Sequence, residues 1–423
     1  MKSPTPASLK KVNVENLARL GVERLAEILV ATAAVRPELK RRLRMELAAE
    51  QGADHLAFEI DKRLVALETS RSKVSWRQRA TFVRDLDALR VLIATRLAEL
   101  DAGAALDRMW LFMGSARRVG SRVRDRDGEL AAVFDRAAHD IGPLLSTGDE
   151  ARQASALVEA ITQNPTAWGD WLPSVLTVCS PSLSEAALRR LAERCDAVVG
   201  WVGLVRQLAD AAGNVDAFRA TFSADALLTP ANAAEVAQRL LAADRVEEAG
   251  AILGGANSQV TSAKALGRQV RSGPPDFAWE TVWIDYLERT GDLSGAQDVR
   301  WVSFERTLSA ERAKAFTRRL SDFQDVEAEE RAFDHATAHP DTQLALRFLF
   351  DWPALPQAAR LIETRGDDLR PDADQAEMWA ARLASRYPAA ANLLLRKAAA
   401  IAFRRRDFAT SERLTQEADA LDI

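Results

Sequence analysis

Apolar residues recur along most of this chain at helical spacing. One stripe steps by four, three, four, four and three residues through Phe82, Leu86, Leu89, Ile93, Leu97 and Leu100. Such a stripe lies on one face of a helix. Similar stripes occur within 17–29, 56–67 and 130–141, and no stretch alternates convincingly as a half-buried strand does. The pattern predicts an all-α fold of about twenty short helices.

Capping residues and prolines mark the helix boundaries. Ser75 with Gln78 and Ser294 with Gln297 have capping-box spacing, and Thr229 precedes a proline at a first helical position. Prolines are expected between helices, where a missing backbone donor does least harm. The prolines that fall between periodic stretches are Pro37, Pro143, Pro165, Pro173, Pro181, Pro340, Pro353 and Pro388.

Three segments have the pattern of a helix, a tight turn and a second helix. An acidic residue in the turn is followed four or five positions later by a small residue, in 244–249, 292–296 and 407–411. This resembles the tetratricopeptide hairpin, but Ala249 and Ala296 lie about 47 positions apart, whereas the regular repeat is about 34 residues long. We therefore expect an irregular helical-hairpin (TPR-like) stack with an amino-terminal helical bundle.

Two breaks suggest three regions. Glycine, serine and proline are concentrated at 254–258 and 272–275, around one short helix predicted for 262–270. A weaker break lies near Gly142 and Gly148. We expect an amino-terminal helical bundle at 1–145, a middle α-hairpin region at 146–260 and a carboxy-terminal TPR-like region at 272–423.

Composition places the chain among ordinary folded proteins. It has 423 residues, of which 48% are hydrophobic, and a net charge of −4, so it lies outside the disordered class. A nucleic-acid-binding protein usually has a strongly basic domain, and this balance argues against nucleic acid as the main partner. No Gly-Lys-Ser/Thr phosphate loop or Gly-x-Ser-x-Gly elbow occurs, so no cofactor is implied and we expect a non-enzyme.

The cysteine count and the first residues bear on the compartment. Cys179 and Cys195 are too few for a disulfide framework or a four-cysteine zinc site, and both are interpreted as core residues in a reducing compartment. The polar start, with prolines at positions 4 and 6, lacks the apolar segment of a signal peptide, and no stretch is long and apolar enough to span a membrane. We expect a cytoplasmic protein with no membrane contact.

His335 and His339 are the candidate metal ligands. A spacing of four places both imidazoles on one helix face, as two zinc ligands require, but Ala336 stands where the His-Glu-x-x-His motif has glutamate. The neighbouring acidic tract could add carboxylates and comprises Asp322, Asp325, Glu327, Glu329, Glu330 and Asp334. The favoured interpretation is structural, and a metal-dependent hydrolase is the alternative.

Two segments are candidates for partner binding. Arg117, Arg118, Arg122 and Arg124 begin a cluster that extends to Arg126, and guanidinium groups bind phosphates or an acidic protein surface. Nucleic-acid binding through this cluster is a second alternative, disfavoured by the acidic residues among the arginines. The other segment contains Phe350, Trp352 and Leu355, which we expect in a loop where aromatic anchors are free to meet a partner.

Several segments resemble an uncharacterised family of all-helical proteobacterial proteins. They are Glu15–Leu29, Arg41–Leu67, Trp76–Arg77 with Asp85–Leu89, and Phe304–Ser309 through Asp351–Leu355. The resemblance implies a helical fold and transfers no functional residue.

Together these patterns predict a non-enzymatic helical scaffold that mediates protein–protein interaction in the bacterial cytoplasm. The partner is a protein whose identity the sequence does not give, and a homo-oligomer is left open.

Overall fold

The computed structural model describes residues 12–146, 148–193, 201–265 and 277–421, with the backbone alone for 257–265. Within these ranges the regular elements are helices, and no strand occurs. The predicted all-α class is confirmed. Inter-residue contacts group the chain into two compact units, Met1–Thr221 and Phe222–Ile423, called here the amino-terminal and carboxy-terminal units. Among the helices so described, none is long and apolar enough to cross a bilayer.

The amino-terminal unit consists of short helices joined by tight turns. They are α1 Val14–Ala18, α2 Val22–Val35, α3 Pro37–Ala49, α4 Ala53–Thr69, α5 Trp76–Leu92, α6 Ala102–Gly114, α7 Ala116–Gly120, α8 Glu129–Leu145, α9 Glu150–Gln163, α10 Pro165–Leu176, α11 Pro181–Ala192, α12 Val202–Ala212 and α13 Val215–Ala220. Helix α4 packs on α3 and α6, and α8 packs on α6 and α10.

Most predicted stripes form the core of this unit. Leu56, Ile60 and Leu64 on α4 are buried, as are Val133 and Ile141 on α8. The stripe within 17–29 differs, because four of its residues, Leu17, Leu20, Ile28 and Leu29, are 38–46% exposed. Periodicity predicted the helices correctly there, whereas burial depends on which other helices reach that face.

Helix α5 continues through a π-helical turn. Ile93–Leu97 follow Leu92 as a π turn, and Ala98–Leu100 complete the rod. Ile93 and Leu97 are both fully buried. A π turn holds an extra residue within a helix and is frequent at functional sites.

Two prolines lie inside helices, contrary to the expectation that they separate them. Pro143 is in α8 and Pro173 is in α10. A proline has no amide hydrogen to donate to the carbonyl four residues earlier. For Pro173 that carbonyl belongs to Gly169. Gln207 on α12 supplies the missing donor, since its Nε2 lies 3.1 Å from the Gly169 oxygen. A side chain about forty positions away therefore makes the proline tolerable.

The carboxy-terminal unit is a series of helical hairpins. Its helices are α14 Pro230–Ala242, α15 Val246–Ala265, α16 Phe277–Thr290, α17 Leu293–Thr307, α18 Ala310–Thr317, α19 Gln324–Ala338, α20 Thr342–Asp351, α21 Leu355–Arg365, α22 Ala373–Leu383, α23 Pro388–Arg404 and α24 Phe408–Asp419. Neighbours in sequence pack together, notably α14 on α15, α16 on α17 and α23 on α24.

One type of turn recurs between the helices of these hairpins. The residue after the helix has positive φ, and the next amide donates to the carbonyl five residues earlier, at 2.8–3.0 Å, which is the Schellman arrangement. The residues with positive φ are Asp244, Gly291, Pro353 and Arg406, and Gly213 forms the same turn in the amino-terminal unit. The spacing between successive turns is uneven, so the hairpin stack is irregular as predicted.

The N-cap of α17 differs from the prediction. Asp292 caps the helix by accepting from the Gly295 amide at 2.9 Å, and Ser294 lies within the first turn. Aspartate and serine cap about equally well, so two candidates two positions apart could not be separated by spacing alone. Thr229 stands at the N-cap of α14, directly before Pro230, as expected.

The breaks proposed between the three regions remain predictions. Helix α15 runs without interruption through Gly254 and Gly255, although each glycine costs a helix about 1 kcal/mol relative to alanine. The segment 266–276, which contains the second breaker-rich stretch at 272–275, lies outside the described residues.

Glu280 is a buried carboxylate near the start of α16, with its side chain 7% exposed. It accepts from Ser303 Oγ at 2.7 Å and from Arg306 Nη2 at 2.7 Å to each of its oxygens. Arg312 donates to Ser303 Oγ at 3.2 Å and to Thr281 Oγ1 at 2.6 Å. These contacts tie α16, α17 and α18 together.

Candidate functional site

Two arginines of the predicted cluster close the end of another helix. Arg118 Nε donates to the Glu68 carbonyl at 2.9 Å. Arg122 Nη1 donates to the Leu67 carbonyl at 3.1 Å, and its Nε donates to the Ser72 carbonyl at 2.9 Å. The last carbonyls of a helix have no partner within it, and basic side chains satisfy them. Arg118 and Arg122 therefore serve the end of α4.

The other arginines of the cluster are exposed. Arg124 presents its side chain to solvent while its carbonyl lies 3.5 Å from Arg79 Nη1. Arg117 is exposed on α7 and lines two adjoining cavities. Arg118 and Arg122 thus bind the end of α4, whereas Arg117 and Arg124 face solvent. Partner binding by Arg117, Arg118, Arg122 and Arg124 stays a prediction.

Aromatic side chains from α6, α8 and α10 meet beside Arg117. The Trp110 and Trp168 ring centroids are 5.6 Å apart, those of Trp168 and Trp171 are 5.8 Å apart at 88°, and those of Phe134 and Trp171 are 6.2 Å apart. Trp168 is buried, while Trp110 and Trp171 are half-buried. The first pair is tilted, the second is edge-on and the third is stacked. Edge-on and offset-stacked arrangements are the ones that aromatic rings prefer.

The two cavities form one groove, called here the aromatic groove. Their volumes are about 160 and 540 Å³, and both are lined by Arg117, Asn164 and Trp171. The larger cavity also has Asp125, Asp135 and Asp170 in its lining. Asp135 and Asp170 are exposed on α8 and α10. The groove therefore combines an aromatic floor with an acidic rim and one arginine.

Two polar atoms lining the groove make no hydrogen bond within the described part of the chain. They are Trp110 Nε1 and Asp125 Oδ1, both buried. Asp125 uses its other oxygen to accept from the Ala131 amide at 3.0 Å. A buried polar atom without a partner is costly, so both atoms favour an additional polar contact.

Sequence patterns did not indicate this groove. No motif in the sequence singles out Trp168, Trp171, Asp135 or Asp170. Their proximity depends on how α8 and α10 pack. The one local signal was the pair of tryptophans three positions apart, which places both near one helix face.

The segment 350–355 is largely part of the core of the carboxy-terminal unit. Phe350 belongs to helix α20, is 1% exposed and stacks on Trp379 with ring centroids 4.8 Å apart. The expectation that Phe350 lies in a loop is therefore wrong, because the apolar face of α20 extends to it. Trp352 and Leu355 are half-buried, and Trp352 Nε1 donates to Glu329. Partner binding here stays a prediction.

His335 and His339 make local structural contacts. His335 Nε2 lies 2.8 Å from the Glu305 carbonyl, and His339 Nδ1 lies 3.1 Å from the Asp341 amide that donates to it. Their ring centroids are 6.3 Å apart. No group of three or more His, Cys, Asp or Glu side chains in the described ranges could hold a metal ion. The metal site considered for the acidic tract is not supported.

Cys179 is a half-buried thiol just after α10. Burial raises its pKa to about 11, and its Sγ lies 3.2 Å from the Val175 carbonyl. Such a thiol forms little of the reactive thiolate at neutral pH. Cys195 lies outside the described residues.

A family model described as "Family of unknown function (DUF6880)" matches the chain over residues 7–201 and 201–422. The chain belongs to the DUF6880 family. The expected membership in an uncharacterised family is confirmed, while the proteobacterial origin stays a prediction. None of the curated proteins matches this DUF6880 chain.

A solved structure similar to this DUF6880 chain is a circular tandem repeat protein with novel repeat topology and enhanced subunit contact surfaces. The two are 16% identical, and the match covers 93% of each chain with a TM-score of 0.20. At that TM-score the similarity supports no conclusion about fold or function.

Proposed function

We propose that this DUF6880 protein is a non-enzymatic helical scaffold of the bacterial cytoplasm that binds another protein through the aromatic groove. The supporting observation is the half-buried Trp171 beside two exposed carboxylates, Asp135 and Asp170. Tryptophan is among the residues that contribute most to binding energy at protein interfaces. A groove with an aromatic floor and a charged rim is typical of sites that receive a single segment of a partner.

The chemistry of the groove favours a partner segment that carries lysine or arginine among apolar residues. Neither Asp135 nor Asp170 has an ion-pair partner within 4 Å in the part of the chain that the structure describes. A cation of the partner would lie near these carboxylates and over the face of Trp171, where cation–π attraction adds to the charge attraction. Apolar neighbours of that cation would cover Phe134 and Trp171.

Arg117 lines both cavities of the groove. An acidic residue of the same segment would pair with it, which gives the segment a direction. The proposed partner is therefore a short segment with a basic residue towards Asp135 and Asp170 and an acidic one towards Arg117.

Fluorescence anisotropy with labelled nonapeptides tests the proposal. One set carries a central lysine or arginine between leucines, and a matched set carries glutamate at the centre. We expect the full chain to bind cationic peptides and to lose five- to tenfold in affinity when Asp135→Asn and Asp170→Asn are combined, since exposed pairs contribute up to about 1 kcal/mol each.

Glu193→Gln is the matched control, because it removes an exposed carboxylate of the same unit that does not line the groove. Its affinity should equal that of the wild type. Equal binding of the glutamate peptides, or an unchanged affinity in the double variant, would refute the proposal. Binding of single-stranded DNA at the same affinity would instead favour the nucleic-acid alternative.

A further inference from the structure

Another cavity of the amino-terminal unit is rich in arginine. It has a volume of about 270 Å³ and lies among α3, α4, α5 and the π turn. We call it the arginine cleft. Its charged lining includes Arg41, Arg42, Arg63, Asp85 and Arg96.

One carboxylate serves two guanidinium groups in this cleft. Asp85 Oδ2 accepts from Arg63 Nη2 at 2.6 Å and from Arg41 Nη2 at 3.1 Å. The three groups carry two positive charges and one negative charge. The side chains of Asp85 and Arg63 are only 16% and 19% exposed, so this charge imbalance is partly shielded from water. Burial lowers the pKa of Arg63, and nearby Arg41 lowers it further, against the opposing effect of Asp85.

A third cation extends this end of the cleft. Arg42 is exposed and has no ion pair within 4 Å among the described residues, although Glu46 lies one turn further along α3. Arg41 Nε is buried and has no hydrogen-bond partner in the same part of the chain. At the other end Arg96 is paired with Glu50 at 2.8 Å and with Glu99 at 3.5 Å.

Apolar side chains form much of the remaining surface of the cleft, beside Glu46, Thr95 and Glu99. Met45, Leu89 and Leu92 are 4–8% exposed, and Ala88 lies beside them on α5. The cleft is slightly smaller than the range of about 300–1,000 Å³ that is common for drug-sized ligands. It therefore suits a small molecule with a charged head and a short apolar body.

We infer that the arginine cleft binds a small organic anion, with a carboxylate or phosphate head held by Arg41 and Arg42 and an apolar body against Met45, Leu89 and Leu92. Guanidinium groups bind both kinds of head through paired N–H donors. This site is separate from the aromatic groove, so its test does not depend on peptide binding.

Isothermal titration of the full chain with four probes tests the inference: hexanoate, hexyl phosphate, inorganic phosphate and neutral hexanol. We expect one of the two amphipathic anions, or both, to bind with one-to-one stoichiometry, inorganic phosphate to bind more weakly, and hexanol not to bind. The comparison of hexanoate with hexyl phosphate identifies the preferred head.

Three variants separate the parts of the cleft. Arg42→Gln should weaken binding about tenfold by removing one charge-assisted hydrogen bond. Ala88→Leu should abolish binding by filling the apolar end. Arg44→Gln, the matched control, removes an exposed arginine of α3 that does not line the cleft and should bind like the wild type.

Circular dichroism establishes that each variant is folded before it is titrated. The inference is wrong if neither amphipathic anion binds the wild type. It is equally wrong if folded Ala88→Leu binds as well as the wild type, or if Arg44→Gln loses as much affinity as Arg42→Gln, because binding would then reflect general surface charge.

Discussion

The substitution Glu280→Gln should selectively destabilise the start of the carboxy-terminal unit. Glutamine keeps the volume of the side chain but removes the negative charge that faces Arg306. It also removes the main attraction that offsets the burial of Arg312, whose pKa is lowered by desolvation. Two cations would then remain around a neutral amide at the junction of α16, α17 and α18.

The size of the effect follows from the burial of the pair. Breaking a buried ion pair by removing one partner costs about 3–5 kcal/mol. Arg306 has a side chain 26% exposed, so water partly solvates it after the substitution. We therefore expect a loss near the lower limit, about 3 kcal/mol, which corresponds to more than a hundredfold change in an equilibrium constant.

Hydrogen–deuterium exchange of the full chain measures this loss locally. Peptides covering 277–317 should exchange more than a hundredfold faster in Glu280→Gln, whereas peptides of the amino-terminal unit should be unchanged. Glu363→Gln removes an exposed carboxylate of α21 and should alter protection by less than about 0.5 kcal/mol. A loss below 1 kcal/mol in Glu280→Gln would show that the carboxylate does not stabilise these helices.

Three further outcomes are expected. Burial acts to raise the pKa of Asp87, but hydrogen bonds from Arg90 and Arg136 prevail and lower it. A carboxyl with a lowered folded pKa stabilises the protein above its unfolded pKa and ceases to do so as pH falls through the folded value. In urea denaturation, the free energy of unfolding of Asp87→Asn should thus be lower than that of the wild type at pH 7, and the difference should be smaller at pH 3. The same difference at both pH values would contradict this. In a Cys195→Ser background, Cys179 should react with a disulfide reagent at pH 8 about a hundredfold more slowly than the same thiol in the unfolded chain. The reason is that a pKa of about 11 leaves little thiolate. An equal rate would disprove the protection of this thiol. Arg406 has φ 63° at the end of α23, so Arg406→Gly should stabilise the chain by about 1 kcal/mol in thermal unfolding, and Arg406→Ala should give no such gain.

Local sequence patterns predicted the helices well because periodicity is a property of neighbouring residues. The stripe through Leu56, Ile60 and Leu64 is buried, and the Schellman turn at Asp244 falls where a hairpin was expected. Burial was harder to predict, as Leu17 and Leu20 show. Their spacing indicates a helix face but carries no information about what packs on it.

The candidate sites depend on residues that are distant in the sequence. Arg122 looked like a free cation because its acceptors, the carbonyls of Leu67 and Ser72, lie about fifty positions earlier. Trp171 and Asp135 meet only through the packing of α8 on α10. The charge imbalance around Asp85 likewise arises from three helices. A sequence pattern can show which residues are present, and tertiary packing decides which of them meet.

The π turn at Ile93–Leu97 affects how the chain tolerates changes in length. Deleting one residue from an ordinary α-helix rotates everything after it by about 100°, because the helix has 3.6 residues per turn. A π turn already contains one residue more than an α turn, so a deletion there converts it to regular helix and leaves Ala98–Leu100 facing as before. Relatives that are one residue shorter in this segment should therefore keep the continuous helix. They should lose the part of the arginine cleft that Thr95 and Arg96 line.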